Sequence, residues 1–365
     1  MFFSGKETHE FSPDEINNLD KLIGNTEFSF FQSFVEPVVI FDYYEQYALK
    51  LISDLCDACG MQCNCSIEYS PNANVDAFCF YNAGERKIII CEGTVLSIYK
   101  YASILSCLYK TLDLDEDDKY FERHNLIVNS AAPNGNILNT SIFISSSLKE
   151  NIITDYIAMI ALKIIIAHEI GHLLSGHIEY RQNSGENIIS FSMSETTSNI
   201  DNTTLQVMEL DADQFSACLL VNILEDELVT DEKLRAILGN DEQIYQLVGI
   251  SIQCVFYLIG IKTGFWEIDN PKQYTHPPAS TRVNMFLDVI RNQFGKNRED
   301  DWFQIVKGVI RAQKSIYAYY ESDFKDPGKF VIDILKVDRY GQILENEWKK
   351  IKPILSKFTK MPFIE

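Results

Sequence analysis

The sequence predicts an α+β fold, and three observations carry that prediction. Short alternating or β-branched stretches separated by turn signals lie between positions 63 and 91. Long apolar stretches at helical spacing dominate from position 152 onward, and no internal repeat runs through the chain. The expected arrangement is a small antiparallel sheet over one long helix, with a helical C-terminal part.

The elements follow in order. Tyr43 to Ala58 has apolar residues at helical spacing and stops at Gly60, a residue suited to the turn after a helix. Cys63, Cys65, Ile67 and Tyr69 alternate with polar residues, Pro71 to Asn74 turns the chain, and Val75 to Tyr81 reads as a strand. Asn82-Ala-Gly84 turns it again, and Lys87 to Cys91 is a third strand. Thr94 to Leu112 is helical, and the acidic run Asp113 to Asp118 lacks the Gly and closing Glu of an EF-hand loop, so it reads as a solvated turn. Residues 125–150, with Pro133-Asn-Gly135 and a Ser-rich end, read as a loop-rich insertion. The longest helix spans Ile152 to Ser175 and stops at Gly176, Asn183 to Thr204 reads as a surface loop, and a second strong helix runs from Leu205 to Asp226. Further helices follow, broken at Gly239-Asn240, Asn270-Pro271, Pro277-Pro278 and Asp326-Pro-Gly328.

Composition narrows the function classes. With 46% hydrophobic and 23% charged residues among 365, the chain has ample material for a large core. Its 32 Lys+Arg against 52 Asp+Glu leave a net charge of -20, a field that repels phosphate backbones and anionic lipid heads, so neither nucleic acid nor a membrane is an expected partner. Nine cysteines, an odd number without a regular framework, fit reduced thiols. The first ten residues lack an uninterrupted apolar export segment, so the expected location is cytoplasmic. The apolar stretch 244–261 approaches the length of a membrane span but contains Gln246, Ser251 and Gln253 and has no Lys/Arg-rich flank; it is expected to be a buried core helix.

The chemistry concentrates in His168-Glu169-Ile170-Gly171-His172. Residues i and i+4 share a helix face, so both imidazoles can reach one Zn²⁺ while Glu169 stands beside the metal's open position. Zinc makes water acidic enough to lose a proton near neutral pH, and a neighbouring carboxylate can accept that proton as the water attacks a carbonyl. Gly171 inside a helix suggests the close approach of another backbone. A third ligand is needed, and Glu209-Leu-Asp-Ala-Asp213 offers Glu209, with Asp213 one turn on to accept the free N–H of a ligating His. Asp211 points away from that face and is read as solvated or capping, and His177, just past the helix stop, as a surface or capping residue. Cys56, Cys59, Cys63 and Cys65 are close enough in sequence to hold a structural zinc, but one helix face and one buried strand face account for them as core thiols.

These motifs resemble the gluzincin metallopeptidases, specifically the group of the HtpX heat-shock protease and the CAAX prenyl endopeptidase. The resemblance rests on Asn74-Val-Asp-Ala-Phe78, the turn at Gly84, Ile88 to Gly93, the HExGH and ExxAD segments, and Thr275-His276-Pro277-Pro278 followed by Arg282. A compact chain with HExGH and ExxAD also resembles the soluble phage-exclusion protease Lit and, more distantly, the ImmA/IrrE regulators. The resemblance implies a zincin-like domain over residues 43–286 with an insertion at about 101–150, preceded by an N-terminal segment 1–42 and followed by a helical region 287–365. It further implies a zinc-dependent endopeptidase acting on a protein or peptide laid along a sheet edge, for which the Lys87 to Cys91 strand is the candidate. His168, His172 and Glu209 would bind the metal, Glu169 would be the catalytic base, and Asp213 would orient a ligand. By the same resemblance His276 would stabilise the developing oxyanion and Arg282 would brace the site near Asp213. A non-catalytic metal-containing binding module is the alternative, against which the presence of Glu169 argues, since zinc binding does not need it.

Overall fold

A computed structural model describes residues 37–58, 65–70, 75–82, 85–111, 123–131, 137–145, 148–185, 188–190, 200–263, 274–319 and 329–359. Cys59, Cys63, the acidic run 113–118 and most of segment 1–42 lie outside them. The described chain is mostly helical, with a small mixed sheet and a separate hairpin, as α+β implies.

Helix α1 (Pro37–Ala58) leads to strands β1 (Cys65–Ser70), β2 (Ala77–Asn82) and β3 (Glu85–Cys91), and α2 (Glu92–Thr111) follows without a loop. The sheet order is β1-β3-β2-β6, where β6 (Ile188–Ser190) lies within the stretch expected to be loop. The sheet is not purely antiparallel: β1 runs parallel to β3, Cys65 opposite Arg86 and Ser70 opposite Cys91, whereas β2 is antiparallel to both β3 and β6. Two strand spacings amount to about 10 Å, which the six residues 71–76 span easily, so β2 skips one place and β3 returns to fill it. The Lys87 to Cys91 strand is therefore interior, and the outer strands of the described sheet are β1 and β6. Thr94, in the first turn of α2, locks this corner: its hydroxyl donates to the Asp76 carbonyl and accepts from the Asp76 N–H, both at 2.7 Å.

The segment 125–150 also differs from its expected loop. Strands β4 (Arg123–Ala131) and β5 (Ile137–Ser145) form an antiparallel hairpin, Ala131 opposite Ile137, that packs against α2. Ser and Asn in this stretch suggested a loop, but Ile127-Val128 and Ile142-Phe-Ile144 favour extended backbone, and the Pro133-Asn-Gly135 segment joins the two strands.

The centre of the molecule is α3 (Leu148–Leu174), apolar around its whole circumference and packed by α1, α2, the sheet, α5 and α7. It ends at Ser175-Gly176, where Gly176 takes φ +79, and a short α4 (His177–Asn183) starts at once. A Cβ at residue 176 would lie 2.5 Å from the Phe358 backbone, so the C-terminal end of the chain seals this turn. Helix α5 (Asn202–Ile223), capped by the Asp201 carboxylate on the Thr203 N–H at 2.9 Å, crosses α3 closely at Gly171. A Cβ there would lie 3.1 Å from the Ala212 Cα and 3.2 Å from the Ala212 carbonyl oxygen, which is the close approach the sequence suggested. Ser216 ties the two helices further by donating to the Ile164 carbonyl at 2.8 Å.

A π turn (Leu224–Leu228) and α6 (Glu232–Leu238) lead to α7 (Asp241–Thr263), α8 (Ala279–Phe294), α9 (Glu299–Tyr319) and α10 (Lys329–Leu355). Helices α7 and α9 meet glycine to glycine at Gly249 and Gly308. Among the described residues two stretches, Lys149–Leu174 and Asp241–Gly260, are long and apolar enough to cross a membrane, and 94% of each apolar window is buried inside the protein.

Candidate metal centre

Helices α3 and α5 bring His168, His172 and Glu209 together. His168 Nε2 and His172 Nε2 lie 3.1 Å apart, and each lies 3.4 Å from one Glu209 carboxylate oxygen. Zinc with nitrogen ligands at about 2.0 Å in a tetrahedron requires ligand atoms separated by about 3.3 Å, so the triangle already has the size of a zinc site. All three side chains are 4% exposed or less. Glu209 Oε2 makes no hydrogen bond, although His168 Nε2, His276 Nε2 and Arg282 Nη1 lie 3.4, 3.5 and 3.6 Å away. Three buried nitrogen and oxygen atoms this close together could hold a metal ion.

Electrostatics agree. Burial disfavours a charged His168, but its contacts with Asp213 and Glu209 outweigh that and raise its pKa to about 9. Burial takes His172 down to about 3. Burial would also raise Glu209, yet His276 and His172 hold it well below the ordinary carboxylate range. The pocket thus favours one positive charge among these atoms, which a proton or a metal can supply.

Asp213, one turn beyond Glu209, meets His168 Nδ1 at 2.9 Å and so leaves Nε2 facing the ligand triangle. Arg282 from α8 grips the same carboxylate with Nε and Nη2, both at 2.7 Å, and is itself fully buried. Burial opposes an ionised Asp213, but the guanidinium prevails and keeps its pKa low. His276 stands just before α8, which starts at Ala279 after Pro277 and Pro278. Its Nε2 lies 3.5 Å from Glu209 Oε2 and its Nδ1 lies 2.9 Å from the Thr275 hydroxyl. The chain folds back across more than a hundred residues to place it there.

Glu169 is fully buried and neither carboxylate oxygen meets a hydrogen-bond partner among the described residues. Desolvation raises its pKa to about 8, with His168 pulling down and Glu209 pushing up. The thiol of Cys79, on β2, also acts on its ionisation, which places this strand against the site. A buried carboxyl group with raised proton affinity inside a polar cluster is a candidate for proton transfer.

Two residues stand differently from their sequence reading. His177 is not a surface residue: it is fully buried, with Nδ1 2.9 Å from His172 Nδ1. Asp211 is buried too, its Oδ2 3.2 Å from His177 Nε2. The spacing His-x-x-x-His-x-x-x-x-His and the acid pair Asp211 and Asp213 were visible in the sequence, but the Gly176 turn that swings His177 back was not. A cavity of about 90 Å³ between α5, α8 and α10 borders Asp211 and Asp213 and is otherwise lined mainly by apolar residues such as Met285, Phe286 and Trp348. Neither Glu169 nor His276 lines it, so it lies behind the site.

The seven side chains from His168 to Arg282 and their two buried neighbours fall in one continuous stretch of sequence. Residues 124–298 match the model of the peptidase U49 family. That stretch is just under half of the chain, and the match supports a peptidase, a hydrolase acting on protein or peptide. It agrees with the resemblance to the phage-exclusion protease Lit rather than with that to the HtpX and CAAX group. No curated protein and no solved structure matches the chain. No disulfide joins Cys56, Cys65, Cys79, Cys91, Cys218 and Cys254 to one another. A metal site at Cys56, Cys59, Cys63 and Cys65 falls partly outside the described residues.

Proposed function

We propose that this protein is a zinc-dependent endopeptidase of zincin type that cleaves a cytoplasmic protein. The observation that carries the reading is the triangle of His168 Nε2, His172 Nε2 and the Glu209 carboxylate, 3.1 to 3.4 Å on a side, with the buried Glu169 next in sequence to His168. When bound there, zinc supplies Lewis-acid polarisation of a carbonyl and water that deprotonates near neutral pH.

The chain's own residues do the rest. Positive charge at the triangle lowers the proton affinity of Glu169, so its carboxylate takes the proton of the attacking water and returns it to the leaving amine. His276 Nε2 donates to the carbonyl oxygen as that oxygen gains charge, a contact that strengthens only in the transition state. Asp213 keeps the His168 proton on Nδ1, and Arg282 holds Asp213 in place. An extended substrate would add to an outer strand, and β6 is the outer strand next to β2, whose Cys79 abuts Glu169.

Expression of the active and Glu169→Gln forms in cells, followed by comparison of new protein N-termini, tests the reading. A single dominant cut marks a targeted protease, many cuts mark a quality-control enzyme, and none in either form refutes proteolysis.

A further inference from the structure

One pair of buried polar groups takes no part in the chemistry just described. His172 Nδ1 points away from the ligand triangle and meets His177 Nδ1 at 2.9 Å. Two ring nitrogens can share only one proton, so one donates and the other accepts. If His172 presents its Nε2 lone pair to a cation, its proton sits on Nδ1, and His177 Nδ1 must be the acceptor. The proton of His177 then sits on Nε2, which faces Asp211 Oδ2 at 3.2 Å. Among the described residues neither of these last two atoms has a hydrogen-bond partner within bonding geometry, and both are buried, so each is the group that can satisfy the other.

We propose that His177 and Asp211 form a relay that fixes the tautomer and ring orientation of His172, in the order His172 Nδ1–H to His177 Nδ1 and His177 Nε2–H to Asp211. The inference rests on the metal reading above and deepens it: both ligating histidines are anchored by a carboxylate of α5, His168 directly by Asp213 and His172 through an interposed imidazole by Asp211. The interposed ring is needed because Asp211, two residues from both Glu209 and Asp213, leaves α5 on another side. Gly176, with φ +79, supplies the turn that swings His177 back over His172. His177 and Asp211 are positioning residues and touch no substrate.

The test uses the full-length protein and zinc itself. Zinc affinity is measured by competition with a chelator for the wild type and for His177→Ala, His177→Asn, Asp211→Ala and the His177→Asn/Asp211→Ala double variant. His177→Ala should lower affinity about 10- to 100-fold, the usual effect of losing the outer partner of a ligating His. His177→Asn should recover most of that loss, because the Asn oxygen can stand where Nδ1 stood, and adding Asp211→Ala to it should then change little. Nitrogen NMR on the wild-type imidazoles, which distinguishes tautomers with or without metal, should show His172 protonated at Nδ1 and His177 at Nε2. This readout stands even if His177→Ala fails to fold, and a merely structural role for His177 would not require it. Equal zinc affinity in folded wild type and His177→Ala, or a His177 ring carrying its proton on Nδ1, overturns the relay alone. A wild-type protein that binds no zinc overturns the metal reading and the relay with it.

Discussion

At the scale of single residues, the proposed mechanism separates groups that would hold a cation from groups that would use it. Glu169 lies outside the group of side chains that could hold a metal, so replacing its carboxylate by an amide removes the proposed base and leaves the binding atoms unchanged. Glu169→Gln is expected to retain one zinc per chain by elemental analysis while hydrolysis falls on the order of a hundredfold or more. His276 has the opposite profile from a ligand: its Nε2 stands 3.5 Å from Glu209 yet outside the triangle. His276→Ala should lower kcat on the order of ten- to a thousandfold with KM and zinc content nearly unchanged, the pattern of a contact made in the transition state. Unchanged kcat would remove His276 from the mechanism.

At the scale of elements, two glycine crossings with different duties make a paired test. Gly171 lets α5 approach α3 closely enough for Glu209 to reach both histidines, and a Cβ there would stand 3.1 Å from the Ala212 backbone. Gly171→Ala gains helix propensity of about 1 kcal/mol but pushes the two helices apart by tenths of an ångström. Its stability should therefore change little, while zinc affinity falls measurably in the same chelator titration. Gly249 instead faces α9, which carries none of the proposed ligands, and a Cβ there would stand 2.0 Å from the Ile305 carbonyl oxygen. Gly249→Ala should lower the urea midpoint sharply, with zinc binding intact in whatever fraction stays folded. The same outcome from both variants would mean that the α3–α5 distance does not govern the metal site.

At the scale of the whole molecule, the metal reading makes stability depend on zinc. The buried ligands converge from α3 and α5, with α8 behind them, so a cation that binds only the folded state stabilises all three together; at a hundred times its Kd it contributes about 2.7 kcal/mol. For a chain of this size chelation should then lower Tm by about 3 to 4 °C, a shift that calorimetry with and without added zinc would show and that His172→Ala should abolish. Helix α10 adds a second long-range tie: buried Tyr340 bonds Gln206 on α5, and Gln206 donates to the Tyr274 carbonyl at 2.6 Å, two residues before His276. By itself the sequence determined the α+β class, the long apolar helix with its pentad, and the placing of Glu209 and Asp213 one turn apart on the next helix, because those rest on local periodicity and on i to i+4 spacing that a helix imposes wherever it forms. It also suggested the close backbone approach at Gly171, since a glycine inside a helix is costly without a packing reason. Only the tertiary structure decided the order and direction of the strands, because a six-residue connection reaches either the adjacent place in a sheet or the next one. The same holds for the hairpin within 123–145, where turn-forming residues and β-branched residues gave opposite local signals. It holds most of all for His177 and Asp211, whose burial and contact depend on one left-handed glycine and on the C-terminal segment packed over it, neither of which leaves a periodic trace in the sequence.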